Sequence, residues 1–318
     1  MKKSALLIGL VFFFSPVIGQ ELFPMNEPAS TVPKGVLGVK VLTESYNEIR
    51  RIRNQASLRV QYGLTGKLTV WAQPMISNHH AKSLPADMVN HQHAGPNTVF
   101  FSTAIDYGAN YPYSFAGLHL YSKYRFLNFD SDDAHFRMAF YGEYTAFGTQ
   151  AHDEAEGHLQ GDTGGAGAGL IATWLKNRWA VSFTGGAIVS NPYTETLPRN
   201  FRLEYSPGFT YNLSIGYLAY PKKYQSYQQS NYNLYLELMG KSFDAASFSR
   251  LDNERIEIDS YALQSGSYLD IYIGVQRIIR SNDRLELSIG FPFINKSYRH
   301  FYPVLNLGWQ RYFFFGKK

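Results

Sequence analysis

The chain has 318 residues, with 30 Lys and Arg against 25 Asp and Glu, for a net charge of +5. So mild an excess, with no basic cluster, gives no footing for a nucleic-acid partner. The absence of cysteine excludes disulfides, thiolate metal sites and a lipid anchor on cysteine.

Met1-Lys2-Lys3 precede an apolar stretch over 5–14, and Val17 and Gly19 form a small-residue cleavage site. This reads as a signal peptide over 1–19, too short for a membrane helix. Residues 20–34 contain Pro24, Pro28 and Pro33. Proline removes a backbone donor and fixes φ, so an extended lead-in on the periplasmic side is expected here.

From residue 35 onward the side-chain period is two. Tyr232, Leu234, Leu236 and Leu238 alternate with Asn233, Tyr235 and Glu237. Leu285, Leu287, Ile289 and Phe291 alternate with Arg284, Glu286, Ser288 and Gly290. That period belongs to strands with one apolar and one polar face. Twelve such segments are predicted, near 35–47, 54–63, 67–78, 113–127, 134–147, 165–176, 178–190, 205–220, 231–243, 266–280, 284–294 and 300–315.

The links between them alternate in length. Leu64-Thr65-Gly66, Lys176-Asn177-Arg178 and Ser281-Asn282-Asp283 are tight, and 128–133 and 221–230 on the same side are modest. The opposite side has long links at 79–112, 148–164, 191–204 and 244–265. Short periplasmic turns, long extracellular loops and an even strand count describe an all-β, transmembrane antiparallel β-barrel over 35–318, in a bacterial outer membrane. A mean hydropathy of −0.26 suits it, since half of each strand faces a polar lumen. So does an aromatic content of 16%, because barrels carry aromatic girdles at both interfaces.

The last segment, Leu305 to Phe315, has Gly308, alternating bulky residues and a terminal aromatic run. It is similar to the closing strands of outer-membrane barrels, which the barrel-assembly machinery reads. Arg311 departs from that pattern, on the face where an apolar residue is favoured, and snorkelling to the interface would accommodate it.

Asn26-Glu27-Pro28-Ala29-Ser30, Pro33-Lys34-Gly35 and Gln61-Tyr62-Gly63-Leu64-Thr65 carry a family resemblance. Over about its first quarter the chain resembles transporter-like outer-membrane β-barrels related to the phenol meta-degradation pathway barrel proteins. The resemblance implies a barrel and the uptake or export of small molecules. It brings no catalytic residue.

If the Leu/Ile/Val face meets lipid, Lys40, Glu44, Arg59, Lys123, Arg125, Arg137, Glu143, Glu237, Asp270 and Glu286 point into the lumen. Arg or Lys facing lipid at the midplane would cost about 2–4 kcal/mol, so their shared parity supports this assignment. Both signs occur, which suits an ion-pair network or a narrow polar channel. Tyr121, Tyr141, Tyr235 and Tyr272 share the inward parity, which suits small polar or aromatic solutes as cargo and equally suits interior packing.

The histidines carry the sharpest chemistry. His79, His80, His91 and His93 fall in the longest loop, and His152 and His158 in the next, beside Asp153, Glu154, Glu156 and Asp162. Imidazole and carboxylate ligate zinc or copper, so a weak Zn or Cu site at the extracellular mouth is an expectation. Polar loop composition alone also accounts for them, and no spacing matches a zinc signature. His119 is predicted inside the barrel, as a member of the polar network.

Three functions compete. A transporter or narrow channel for a small-molecule solute rests on compartment, closure and resemblance. A structural or surface-binding barrel with a plugged lumen would use loops 79–112 and 244–265 as its contact surface. An outer-membrane phospholipase would need a His and Ser pair on the lipid face. His119 points inward, and Ser114 and Ser122 form no recognisable site with it, so no enzyme activity is expected.

Overall fold

The computed structural model describes residues 23–48, 51–78, 113–131, 134–146, 159, 163–195, 201–222, 229–250, 264–297 and 302–315. Twelve strands close into one antiparallel barrel. They are β1 (Val36–Glu48), β2 (Arg51–Gly63), β3 (Leu68–Ser77), β4 (Ser114–Asp130), β5 (Ala134–Ala146), β6 (Gly165–Lys176) and β7 (Trp179–Ser190). After two short strands come β10 (Gly208–Tyr220), β11 (Asn231–Phe243), β13 (Gly266–Ile279), β14 (Asp283–Ile294) and β15 (Val304–Phe314). Each pairs with its neighbour in sequence along the barrel, and β1 closes on β15 from Val36↔Phe314 to Tyr46↔Val304.

The wall is two-faced, as the period predicts. Leu58, Val60, Leu120, Phe140, Leu170, Leu234, Leu236, Leu285, Leu287, Leu305 and Leu307 are all exposed on the outside. A continuous apolar surface of this extent is an aggregation hazard in water and a solvent match in lipid. The chain is therefore an outer-membrane β-barrel, with its short turns periplasmic and its long loops extracellular.

Two features depart from the simple alternation. The pairing shifts register at Met75/Ile76, Arg125/Leu127, Leu218/Tyr220 and Leu269/Asp270. These are bulges, where one extra residue bends a strand. The links 191–204 and 244–265 also contain structure of their own. β8 (Tyr193–Glu195), β9 (Phe201–Glu204) and β12 (Ser247–Arg250) form a separate three-stranded sheet in the order β12-β9-β8. Leu203, Tyr205 and Phe248 are its buried cluster.

Candidate functional site

The lumen is where chemistry is concentrated, and the N-terminal segment occupies it. The lead-in expected on the periplasmic side over 20–34 instead lies inside the barrel over residues 23–32. Phe23 is buried against Ala180 and Tyr235 near the periplasmic ends of their strands. Its ring meets Tyr235 edge-on at 5.8 Å. The chain then rises, so that Met25 packs on Tyr46, Tyr272 and Val304 toward the extracellular half. It descends again through Val32, whose N–H donates to Thr69 Oγ1 at 2.8 Å. The segment is a loop inserted from the periplasmic side, with its apex at residues 25–27.

Prolines and irregular backbone leave these N–H groups without strand partners, and buried donors must be paired. The wall supplies acceptors. Glu237 accepts from the N–H groups of Met25 (3.2 Å) and Asn26 (2.9 Å), one on each carboxylate oxygen. Asn26 Nδ2 donates to Ser214 Oγ at 2.7 Å, and Ala29 N–H to Thr173 Oγ1 at 2.8 Å. The segment also supplies one charge. Glu27 Oε1 lies 2.6 Å from Arg59 Nη1, and Oε2 lies 3.2 Å from Lys123 Nζ. Lys123 donates further to Pro28 O, and Arg137 Nη1 to Ser30 Oγ at 3.0 Å. Glu27 thus faces the basic residues of β2 and β4, while the amides of residues 25 and 26 face the carboxylate on β11. Close approach is possible where the wall has no side chain. A Cβ on Gly63 would stand 2.1 Å from Pro33 O.

Around this segment the structure brings the predicted inward residues together. Lys40 and Glu286 form a buried ion pair at 2.7 Å, and Lys40 Nζ also donates to Pro24 O. Gln276 Nε2 donates to Glu286 Oε1 at 2.8 Å. Arg125 Nη2 reaches Gly66 O in the β2–β3 turn, so it braces the periplasmic rim rather than the centre. Arg137 turns toward the same rim, to Asn128 and Asp130. His119 is fully buried, with Nδ1 2.9 Å from Thr145 Oγ1 and Nε2 3.3 Å from Glu143 Oε2. Ser122 lies on the opposite, exposed face of β4, so His119 cannot form a lipid-facing pair with it.

Above the apex lies a chamber of about 260 Å³, lined by Met25, Asn26 and Glu27 below and by Glu44, Glu143, Lys241 and Asp270 on its walls. One side is an aromatic row across three strands. Trp71 and Tyr121 stack at 3.7 Å, Tyr121 and Tyr141 at 5.4 Å, and Arg59 Cζ stands 4.5 Å from the Trp71 ring. Tyr141 needs a bare wall opposite, since a Cβ on Gly186 would be 2.1 Å from its hydroxyl. Two loop residues reach in from the extracellular side. Leu159 is buried, and its carbonyl accepts the Thr145 hydroxyl. Tyr302 donates to Asp270 Oδ1 at 2.6 Å. Burial, and then the adjacent Asp270 carboxylate, raise the Tyr302 phenol well above its ordinary range, so it remains a donor.

The inward residues expected from the sequence omit several members of this network. Arg53, Lys241 and Arg284 are buried inward-facing cations, and Lys241 and Arg284 share the parity of Glu237 and Glu286 on their strands. Parity was a sufficient signal for those two. Glu27 had none, because no period runs through residues 23–34. His79, His80, His91, His93, His152 and His158 lie outside the described residues. Among the described residues no group of three metal-ligating side chains occurs.

No family model matches the chain, and no curated protein sequence does. Solved structures do match. The COG4313 outer membrane channel from Pseudomonas putida F1 is similar over 92% of this chain and 100% of that one, at TM-score 0.56 and 16% identity. The two chains share one fold, a closed outer-membrane β-barrel. The KdgM porin covers 86% of this chain at TM-score 0.43 and 8% identity, and outer membrane phospholipase A from Escherichia coli covers 93% at TM-score 0.35 and 10% identity.

Proposed function

We propose that this barrel is a channel or transporter for small molecules, closed at rest by its own N-terminal segment. The carrying observation is how residues 25–27 are held across the lumen. Their amides bond to Glu237 on one wall, and the Glu27 carboxylate bonds to Arg59 and Lys123 on the other. These attachments are a few hydrogen bonds and ion pairs, with no covalent link beyond the connection to β1, so the segment can leave while the barrel stays closed on itself. The chamber above it gives a solute a place to sit before passage, with aromatic edges and charges of both signs. The fold shared with an outer-membrane channel agrees with this reading.

Liposome swelling tests it. A chain whose mature part begins at Lys34 is expected to fold as a barrel and to admit small sugars and amino acids markedly faster than the full chain. A deletion variant that is folded, inserted and as slow as the full chain would favour the other reading, a structural barrel with a plugged lumen.

A further inference from the structure

The lipid-facing wall carries two arginines that the lumen does not use. Arg277 lies on the outer face of β13, beside Tyr232 of β11 and Leu285 of β14, and Leu285 pairs in turn with Trp309 of β15. One row nearer the periplasm, Arg311 of β15 pairs with Asp283 of β14. Both arginines sit within a few residues of the strand ends that flank the short turn at 280–282, which places them at the level of the periplasmic leaflet. They are on strands that flank β14, roughly 10 Å apart across the sheet.

Arg277 is exposed, and its Cζ stands 5.5 Å from the Tyr232 ring. The Arg311 side chain is about half exposed (48%), with Cζ 5.9 Å from the Phe313 ring. Its Nε forms a loose ion pair with Asp283 Oδ1 at 3.6 Å, beyond hydrogen-bond length, so its terminal nitrogens carry the remaining donors. Each guanidinium carries five donors in a fork that matches phosphate. Directly toward the membrane from this row is a groove of about 540 Å³ on the outer wall, floored by Val41, Val275, Leu287 and Leu307. Cationic heads at leaflet level over an acyl-sized apolar groove are the pattern that recognises an anionic lipid.

We propose that the outer wall of β11, β13, β14, β15 and β1 is a binding site for an anionic phospholipid of the periplasmic leaflet. Arg277 and Arg311 take the headgroup phosphate, Tyr232 and Trp309 flank it at the interface, and an acyl chain lies in the groove above. The site also gives a reason for Arg311, which breaks the apolar pattern of the closing strand. It is independent of whether the lumen conducts.

Trp309 is a built-in reporter, and with four tryptophans in the chain it can be isolated by replacing Trp71, Trp174 and Trp179 with Phe. In phosphatidylcholine vesicles, a small equal fraction of acyl-brominated lipid is added, either phosphatidylglycerol or phosphatidylcholine. Brominated phosphatidylglycerol is expected to quench Trp309 about twofold more strongly, and 0.5 M NaCl to reduce the difference. The Arg277→Gln/Arg311→Gln variant is expected to abolish it. Equal quenching by the two lipids, or a preference that survives in the double variant, would overturn the proposal. Native mass spectrometry on the otherwise unaltered chain gives an independent reading. Wild type is expected to retain phosphatidylglycerol over phosphatidylcholine, and R277Q/R311Q to retain neither selectively. An unselective wild type would equally overturn the site.

Discussion

Glu237→Gln is the sharpest perturbation of the closed lumen. In the wild type a buried carboxylate accepts two backbone N–H groups from residues 25 and 26. A buried hydrogen bond is worth about 0.5–1.5 kcal/mol net, and a buried donor left without an acceptor costs about 1–3 kcal/mol. Glutamine keeps one neutral acceptor and turns an NH₂ toward the second donor. The inserted state therefore loses about 2–4 kcal/mol, and the withdrawn fraction should rise on the order of 30- to 1,000-fold. A thiol placed in the segment reads this out, because the chain contains no other. Ala29 is fully buried beneath the apex, so an Ala29→Cys thiol reacts with maleimide only when the segment withdraws. Labelling of A29C/E237Q should exceed that of A29C by at least about 30-fold. Rates within about threefold of each other would show that Glu237 does not hold the segment, and the reasoning from its two hydrogen bonds would fail.

Gly63→Val sets a Cβ against Pro33 O and is expected to unseat the descending arm, with faster A29C labelling and a stability loss of about 1–3 kcal/mol by urea titration. Lys40→Met strands the buried Glu286 carboxylate and should cost about 3–5 kcal/mol in the same titration. Adding Glu286→Gln should recover most of that loss, and a double variant as unstable as K40M would contradict the pairing. Tyr302→Phe removes the bond to Asp270, for about 1.5–3 kcal/mol at neutral pH. Because the folded phenol is raised above its ordinary value near 10, its contribution is complete below about pH 10 and is lost as pH rises above that. Thermal unfolding against pH should therefore show a weaker alkaline decline in Y302F than in wild type.

Most of the wall was legible from period two. The inward carboxylates and cations of β1, β2, β4, β5, β11, β13 and β14 follow from Leu and Val at the intervening positions, because a charge on the lipid face is costly. The twelve strands followed from that period, and their direction from the alternating link lengths. The filled lumen did not follow. Phe23 to Val32 has no period, and its partners Glu237, Ser214 and Thr173 lie 144 to 211 residues away. A non-local bond from one irregular backbone amide to one carboxylate leaves no local pattern. The bulge at Leu269/Asp270 and the β8–β9–β12 sheet were hidden for a similar reason. A single inserted residue, or strands of three and four residues, are shorter than the window over which alternation can be read.

Tethering the N-terminal segment to the wall tests whether it closes the lumen and must move for solute to pass. The 2.8 Å contact from Ala29 N to Thr173 Oγ1 places the two Cα atoms no more than about 6.7 Å apart, within the span of a disulfide. Single-channel conductance of Ala29→Cys/Thr173→Cys should be measured in one bilayer before and after reductant. The oxidised barrel should be silent or minimally conducting, with openings that appear on reduction. Openings of equal size and frequency in the oxidised and reduced states would contradict closure by this segment.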